Sequence, residues 1–305
     1  MGLARGAICL LMEEARRRPF EGSVATLGRQ TVLVTGTELA GLFDRFAMIP
    51  EAPIDTRGDE VDDEALLKAL GFKEVHSFDY SSYEGATHLL DLNVAGPPER
   101  FVEQYDVVLD SGTMEHVFHI PNVLRNVFLM TKPGGRVIFL SPSSNHLDHG
   151  FYMFSPTFFY DYYTANGFQL ETIFVVRYSP DPEESWDIYE YSPGEWRGLS
   201  LGGLDAQPYA IFFVATKTRD ATWDVVPQQG YYSNGGAQYQ GSDIQTEEAV
   251  AQPSGQRFHG LRAVLKNVPG ARPLVRVARS LLRRKPGTPE ASARKHLGMR
   301  LHARY

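Results

Sequence analysis

The chain has 305 residues, 43% of them hydrophobic and 22% charged, with a formal net charge of -7. That balance is ordinary for a folded globular protein; it excludes low-complexity and collagen-like chains and leaves room for one large α/β domain with additions. The single cysteine, Cys9, rules out an intrachain disulfide framework and fits a reducing cytoplasm, and no apolar run approaches the roughly 18 to 20 residues that span a bilayer.

Ala7 to Met12 is apolar, but Glu13-Glu14 and Arg16-Arg17-Arg18 follow at once. The run is too short for a signal-peptide core and lacks a small-residue cleavage site, so residues 1–20 are expected to form an N-terminal helix. Gly22 to Leu27 reads as a first strand. Thr31 to Phe46 reads as a helix, and residues 49–59 as a loop. Asp62 or Asp63 can cap a helix that runs to Leu70 and ends at Gly71. Val75 to Phe78 and His88 to Leu90 are short strands closed by Asp79 and Asp91. Val107 to Leu109 is an apolar run ending on Asp110, as expected of a strand buried on both faces of a parallel sheet.

Pro121 can sit in a first helical turn, after which Val123, Leu124, Val127, Phe128 and Met130 repeat at helical spacing. Pro133-Gly134-Gly135 is expected to stop that helix, and Val137 to Leu140 to form the next strand. Strand, crossover helix and strand make a βαβ unit. Ser155-Pro156 opens another helix through Ala165, ended by Asn166-Gly167. Leu170 to Val176 and Ala210 to Thr216 read as closing strands. Between them, residues 179–208 hold Trp186, Tyr189, Tyr191 and Trp196, an aromatic insertion that could serve as a lid or a substrate wall. Residues 219–256 are rich in Gln, Gly, Ser and Tyr and read as a flexible linker. Residues 257–305 regain periodicity among many Arg and Lys and read as a basic amphipathic helical tail.

The segment "YDVVLDSGTMEHV…VLRNVFLMTKPGGRVIFLSP" resembles the fourth-strand to fifth-strand region of class I S-adenosylmethionine-dependent methyltransferases. There an acidic or small residue ends strand four, "EHV" and a helix follow, and "LKPGG" precedes strand five. The similarity spans roughly residues 20 to 216. It implies a Rossmann-like, mostly parallel, seven-stranded sheet with helices on both faces, over residues 21–218. It also implies that the donor's ribose lies at Asp79, its adenine beside Asp91 and Leu92, and its methionine and sulfonium end along Asp110, Ser111 and Gly112. The first loop departs from the family. The usual glycine-rich turn is replaced by Thr26-Leu27-Gly28-Arg29-Gln30, so Thr26 and Gly28 are expected to carry the close backbone approach. A methyltransferase-like fold that has lost its cofactor and serves as a binding module is the alternative. Val32 to Gly36 is similar to the opening of nicotinamide-dependent reductases, but the further glycines of that motif are missing.

Methyl transfer to an alcohol requires the oxygen to lose its proton, and a neutral imidazole suits that task. The candidates are His149, His116 and His146, with Asp148 available to orient a ring. Tyr152 is the aromatic residue expected to meet substrate. The spacing of His146, Asp148, His149, Glu115 and His116 fixes no metal geometry, so no ligand is assigned. Magnesium, which some similar O-methyltransferases use, stays an option. The aromatic walls and basic tail favour a sugar or glycolipid hydroxyl as acceptor. The tail suits an anionic membrane surface at the inner face, or packing on the body. It carries little aromatic interleaving for nucleic acid.

Overall fold

The computed structural model describes residues 2–179, 181, 184–199, 202–230 and 300–305. The proposed linker from 231 onward and the helical stretch 257–299 lie outside the described residues. One sheet organises the rest. Its strands in chain order are β1 (Ser23–Leu27), β2 (Glu74–Asp79), β3 (His88–Leu89), β4 (Tyr105–Asp110), β5 (Thr131–Ser144), β6 (Gln169–Arg177), β7 (Asp187–Glu190), β8 (Tyr209–Thr216) and β9 (Arg300–Arg304). They lie side by side as β3-β2-β1-β4-β5-β8-β6-β7-β9. β3, β2, β1, β4 and β5 pair in parallel. β8 inserts antiparallel between β5 and β6. The order 3-2-1-4-5 is that of a doubly wound sheet, and its direction of growth reverses between β1 and β4.

The helices are α1 (Arg5–Arg17), α2 (Gly36–Arg45), α3 (Asp63–Ala69), α4 (Ile120–Met130) and α5 (Pro156–Ala165). They cover both faces, because side chains alternate along each strand. Val107, Leu109, Ile138 and Leu140 pack with α1, α2 and α3 in one core, whereas Val108, Val137 and Phe139 pack with α4 and α5 in the other. α1 is unusually well buried for a terminal helix: Ile8, Cys9 and Met12 are all wholly inaccessible. Each such side chain contributes on the order of 1.5–3 kcal/mol.

The helix-cap expectations hold where a polar side chain was present to make them. Asp62 caps α3 by accepting the Glu64 amide at 2.9 Å, and Ser155 caps α5 with Pro156 in its first turn. Several expectations need correction. The helix expected from Thr31 begins at Gly36, because Thr35 and Glu38 form a reciprocal capping box. Residues 31–33 instead run beside the N-terminal segment, with Leu3 N–H donating to Thr31 O at 2.8 Å and Leu33 N–H to Leu3 O at 3.0 Å. Pro133, Gly134 and Gly135 lie inside β5 rather than between helix and strand.

The sheet also has nine strands among the described residues, not seven. β7 comes from the aromatic insertion and β9 from the end of the expected helical tail; the two pair antiparallel. The insertion is therefore partly sheet edge, and Trp186 lies so close to Gly6 of α1 that a Cβ there would meet its ring. The first residues of the expected linker are docked rather than free. Asn166 pairs with the backbone of Val225 through both amide atoms at 3.0 Å, and the Arg125 guanidinium lies 4.3 Å over the Trp223 ring. Among the described residues, no helix is long and apolar enough to cross a membrane.

Candidate active site

In an open α/β sheet, ligands bind beyond the carboxyl ends of the strands where the order reverses, here the loops after β1 and β4. Gly28 follows β1 with φ 75, a left-handed value that favours glycine, and a Cβ there would lie 2.8 Å from Thr113 Oγ1. Asp79, at the end of β2, turns Oδ2 toward the same spot, 3.8 Å from that Cβ position. Its Oδ1 accepts the Ser81 amide at 3.0 Å. Gln30 donates to Leu27 O at 2.9 Å, while its Oε1 is buried with no hydrogen-bond partner among the described residues. A close-approach glycine, a carboxylate oxygen and an orphaned amide oxygen thus share one cradle. They fit the ribose side of a nucleoside cofactor, which presents hydroxyl donors.

The remaining residues expected at the cofactor are placed differently. Thr26 is fully buried and donates to Gly28 O at 2.8 Å, shaping the loop from beneath. Asp91 is half-buried and accepts the Asn93 amide at 2.9 Å; Leu92 is a core residue. Asp110 is wholly buried, with its carboxylate accepting the amides of Thr113 at 2.9 Å and Met114 at 3.4 Å. Burial, and then the charge of Glu115, push the Asp110 carboxyl above its ordinary value. Ser111 donates to Gly2 O at 3.2 Å, so the N-terminal segment lies against this turn. Gly112 has φ 99 and is half-buried.

The turn after β4 is tied to the loop after β1 by Thr113, whose hydroxyl donates to Leu27 O at 2.6 Å. Two residues on stands Glu115, fully inaccessible. Its carbonyl accepts the amides of Phe151 at 2.8 Å and Tyr152 at 3.3 Å, which wraps the loop after β5 around it. Gly150 is required there, since a Cβ would come within 2.9 Å of that carbonyl oxygen. Two left-handed residues, Asn145 with φ 63 and Asp148 with φ 64, shape the segment carrying His146 and His149. Asn145 fastens its own end by donating to Asp205 O at 2.9 Å and Gln207 O at 2.7 Å. Such strained positions persist where the surroundings over-determine them.

The wrap brings all three candidate histidines together. His149 Nε2 lies 3.4 Å and His116 Nε2 3.8 Å from Glu115 Oε1. His146 Nε2 lies 3.0 Å from the Tyr178 hydroxyl. Burial, and then the neighbouring His149, lower the His146 pKa below 6.5. Burial pushes the Tyr178 phenol up. His146, His149 and Tyr178 line a cavity of about 380 Å³, closed by Arg5, Trp186 and Tyr305. Tyr152 donates to Phe118 O at 2.8 Å and so supports an exposed apolar rim formed by Phe118 against Phe151, ring centroids 5.6 Å apart.

The acid beside His149 is Glu115, and Asp148 is exposed. In the sequence Glu115 stands out only as one optional metal ligand. Tyr178 and Arg5, far along the chain from the β4 turn, carry no such signal, and Trp186 is marked only as part of the aromatic insertion. The one signal in the sequence is the Glu115-His116 dipeptide in the turn that follows the strand-ending Asp110.

No family model and no curated protein matches this sequence. Solved structures do resemble it in architecture. A S-adenosylmethionine-dependent methyltransferase from Thermotoga maritima is 15% identical, over 70% of this chain and 90% of its own, with a TM-score of 0.36. A Bacillus halodurans protein assigned as a methyltransferase is 13% identical over 69% and 98%, with a TM-score of 0.33. The Bacillus subtilis protein YcgJ is 12% identical over 70% and 98%, with a TM-score of 0.38. At such identities and scores, function has to be read from this chain's own residues.

Proposed function

We propose that this chain is a S-adenosylmethionine-dependent O-methyltransferase acting on a hydroxyl of a sugar, glycolipid or related small molecule. One observation carries the reading: Thr113 ties the glycine-and-carboxylate cradle of Gly28 and Asp79 to the turn on which Glu115 gathers the histidines. When bound, the donor supplies an electrophilic methyl on a sulfonium, and sulfur keeps the C–S electron pair once an oxygen has taken the methyl. The protein's share is to bind, to orient and to move one proton. Asp79 holds the ribose diol through Oδ2, and Gly28 lets the backbone come close. His116 and His149 flank the place of the acceptor hydroxyl. His146, whose pKa burial lowers, takes its proton. Phe118 and Phe151 exclude water. The basic stretch from Arg257 onward would draw an amphipathic acceptor from an anionic membrane surface.

The test is calorimetric titration with S-adenosylhomocysteine, compared with Asp79→Ala. Binding that weakens at least tenfold in the variant supports the reading, where tenfold corresponds to about 1.4 kcal/mol. No heat from the unmodified protein at high micromolar ligand sinks it. On a hydroxylated acceptor, the acid limb of kcat/KM should fall below pH 6.5, the direction set by the lowered His146 pKa. His146→Gln should remove that limb together with most of the rate.

A further inference from the structure

Glu115 presents a problem that the methyl-transfer reading leaves unsolved. Its side chain is wholly buried, yet neither carboxylate oxygen has a hydrogen-bond partner among the described residues. A carboxylate in that state is costly unless a cation meets it. The nearby imidazoles do not satisfy it as they stand. Charge-assisted hydrogen bonds run at about 2.7–2.9 Å, whereas His149 and His116 stop at 3.4 Å and 3.8 Å from Oε1.

Those spacings have another meaning. A divalent ion bound to nitrogen and oxygen at about 2.1 Å in a tetrahedral site separates its ligand atoms by about 3.4 Å. One ligand atom from each of Glu115, His116 and His149 lies within 4.8 Å of the others. The frame is also rigid: two backbone amides pin the Glu115 carbonyl, and Gly150 lets the loop close over it. The two contacts to Glu115 Oε1 are already close to that spacing, and the side chains of His149 and His116, 36% and 47% exposed, have the freedom to draw their nitrogens together from within 4.8 Å.

We infer that Glu115, His116 and His149 form a three-ligand site for a divalent transition-metal ion whose open positions take the acceptor's hydroxyl oxygen. Magnesium and calcium favour all-oxygen shells, whereas two imidazoles with one carboxylate suit Mn2+, Fe2+ or Zn2+. Three protein ligands with open positions are the pattern of a catalytic site, not a structural one. The ion gives Glu115 the countercharge it lacks. It also acidifies the coordinated hydroxyl, so that the O–H electron pair stays on oxygen while the proton passes to the His146 imidazole. The ion's chemical role rests on the proposed methyl transfer; the ion's binding does not.

The test uses the full chain, stripped with a chelator, without donor or acceptor. Mn2+ alone is followed by the paramagnetic resonance of the free ion, and Zn2+ alone by calorimetry. One equivalent should bind saturably. Glu115→Gln, His116→Ala and His149→Asn should each weaken binding at least about tenfold. His116 and His149 are partly exposed, so their variants keep the test open if Glu115→Gln does not fold. No saturable binding at millimolar ion, or equal affinity in folded variants, overturns the inference. S-adenosylhomocysteine binding without any cation site overturns the inference alone. Cation binding with no affinity for S-adenosylhomocysteine upholds the site and overturns methyl transfer.

Discussion

Glu14 and Glu115 are both almost fully buried, at 3% and 0% exposure, and the protein treats them in opposite ways. At the seam between α1 and β5, Glu14 Oε1 accepts Arg136 Nη1 at 3.0 Å. The same guanidinium donates to Pro19 O at 3.2 Å and lies 4.6 Å from the Phe20 ring centroid. Charge and packing are answered inside the fold, and one carboxylate oxygen is hydrogen-bonded, although Glu14 Oε2 and Arg136 Nε have no hydrogen-bond partner among the described residues. At the switch point, Glu115 receives no hydrogen bond to its carboxylate among the described residues. Asp110, five positions earlier, sits between the extremes with two backbone amides. A buried acid that is satisfied explains architecture. One that is not satisfied points to something the architecture is built to receive.

The sharpest way to break the contrast is at the seam. Arg136→Ala should lower stability by about 3–5 kcal/mol, because it strands a buried charge and empties its packing site. The shift of a urea unfolding midpoint measures this. Replacing both partners, Arg136→Met with Glu14→Leu, should recover most of the loss, since well-packed apolar pairs often match buried ion pairs. A full loss in the double variant would mean that the pair is more than a charge solution.

Asp110 comes next. Asp110→Ala should cost about 1–3 kcal/mol, the penalty for leaving the Thr113 and Met114 amides unpaired. Its pH dependence carries a definite sign. The folded value is raised above the ordinary 3.8, so across that interval the folded state holds the proton that the unfolded state has released. This contribution to stability is present below pH 3.8 and is lost as pH rises toward the raised value. Asp110→Asn removes the group and should flatten that part of a stability–pH curve. A slope that persists in the variant assigns the titration elsewhere.

The satisfied acids and the unsatisfied one also differ in how far the sequence announces them. Asp79, Asp91 and Asp110 sit at the ends of apolar runs, a pattern legible without coordinates; Asp79 and Asp110 do close strands, and Asp91 lies two residues past the end of β3. The caps at Asp62 and Ser155 were legible for the same reason: residue and partner are neighbours in the chain. The Thr35–Glu38 box was written in the chain too, but a run of apolar residues before it suggested an earlier start. What could not be read depends on distant segments. β7 and β9 are separated by more than a hundred positions, and neither looks like a strand alone. Whether Asp110 faces a ligand or its own backbone is decided by the turn at Thr113. Whether Glu115 is exposed or buried is decided by the loop at Gly150, 35 positions away. The histidines were visible as residues, but their convergence on Glu115 was not.

Glu115→Gln should have the smallest effect on the bare protein, and its sign is the informative part. A carboxamide of the same shape removes a charge that has no answer in the fold, so the urea midpoint should hold or rise. A loss of more than about 1 kcal/mol would show that the carboxylate does find stabilising partners in the apoprotein. Adding ion restores the contrast from the other side. With Mn2+ at a hundredfold excess over its dissociation constant, linkage should raise the stability of the unmodified protein by about 2.7 kcal/mol. The glutamine variant should gain almost nothing. Glu115 would then behave as Glu14 does at the seam, a buried acid answered by a cation, with the difference that its cation arrives from solution and can be withdrawn.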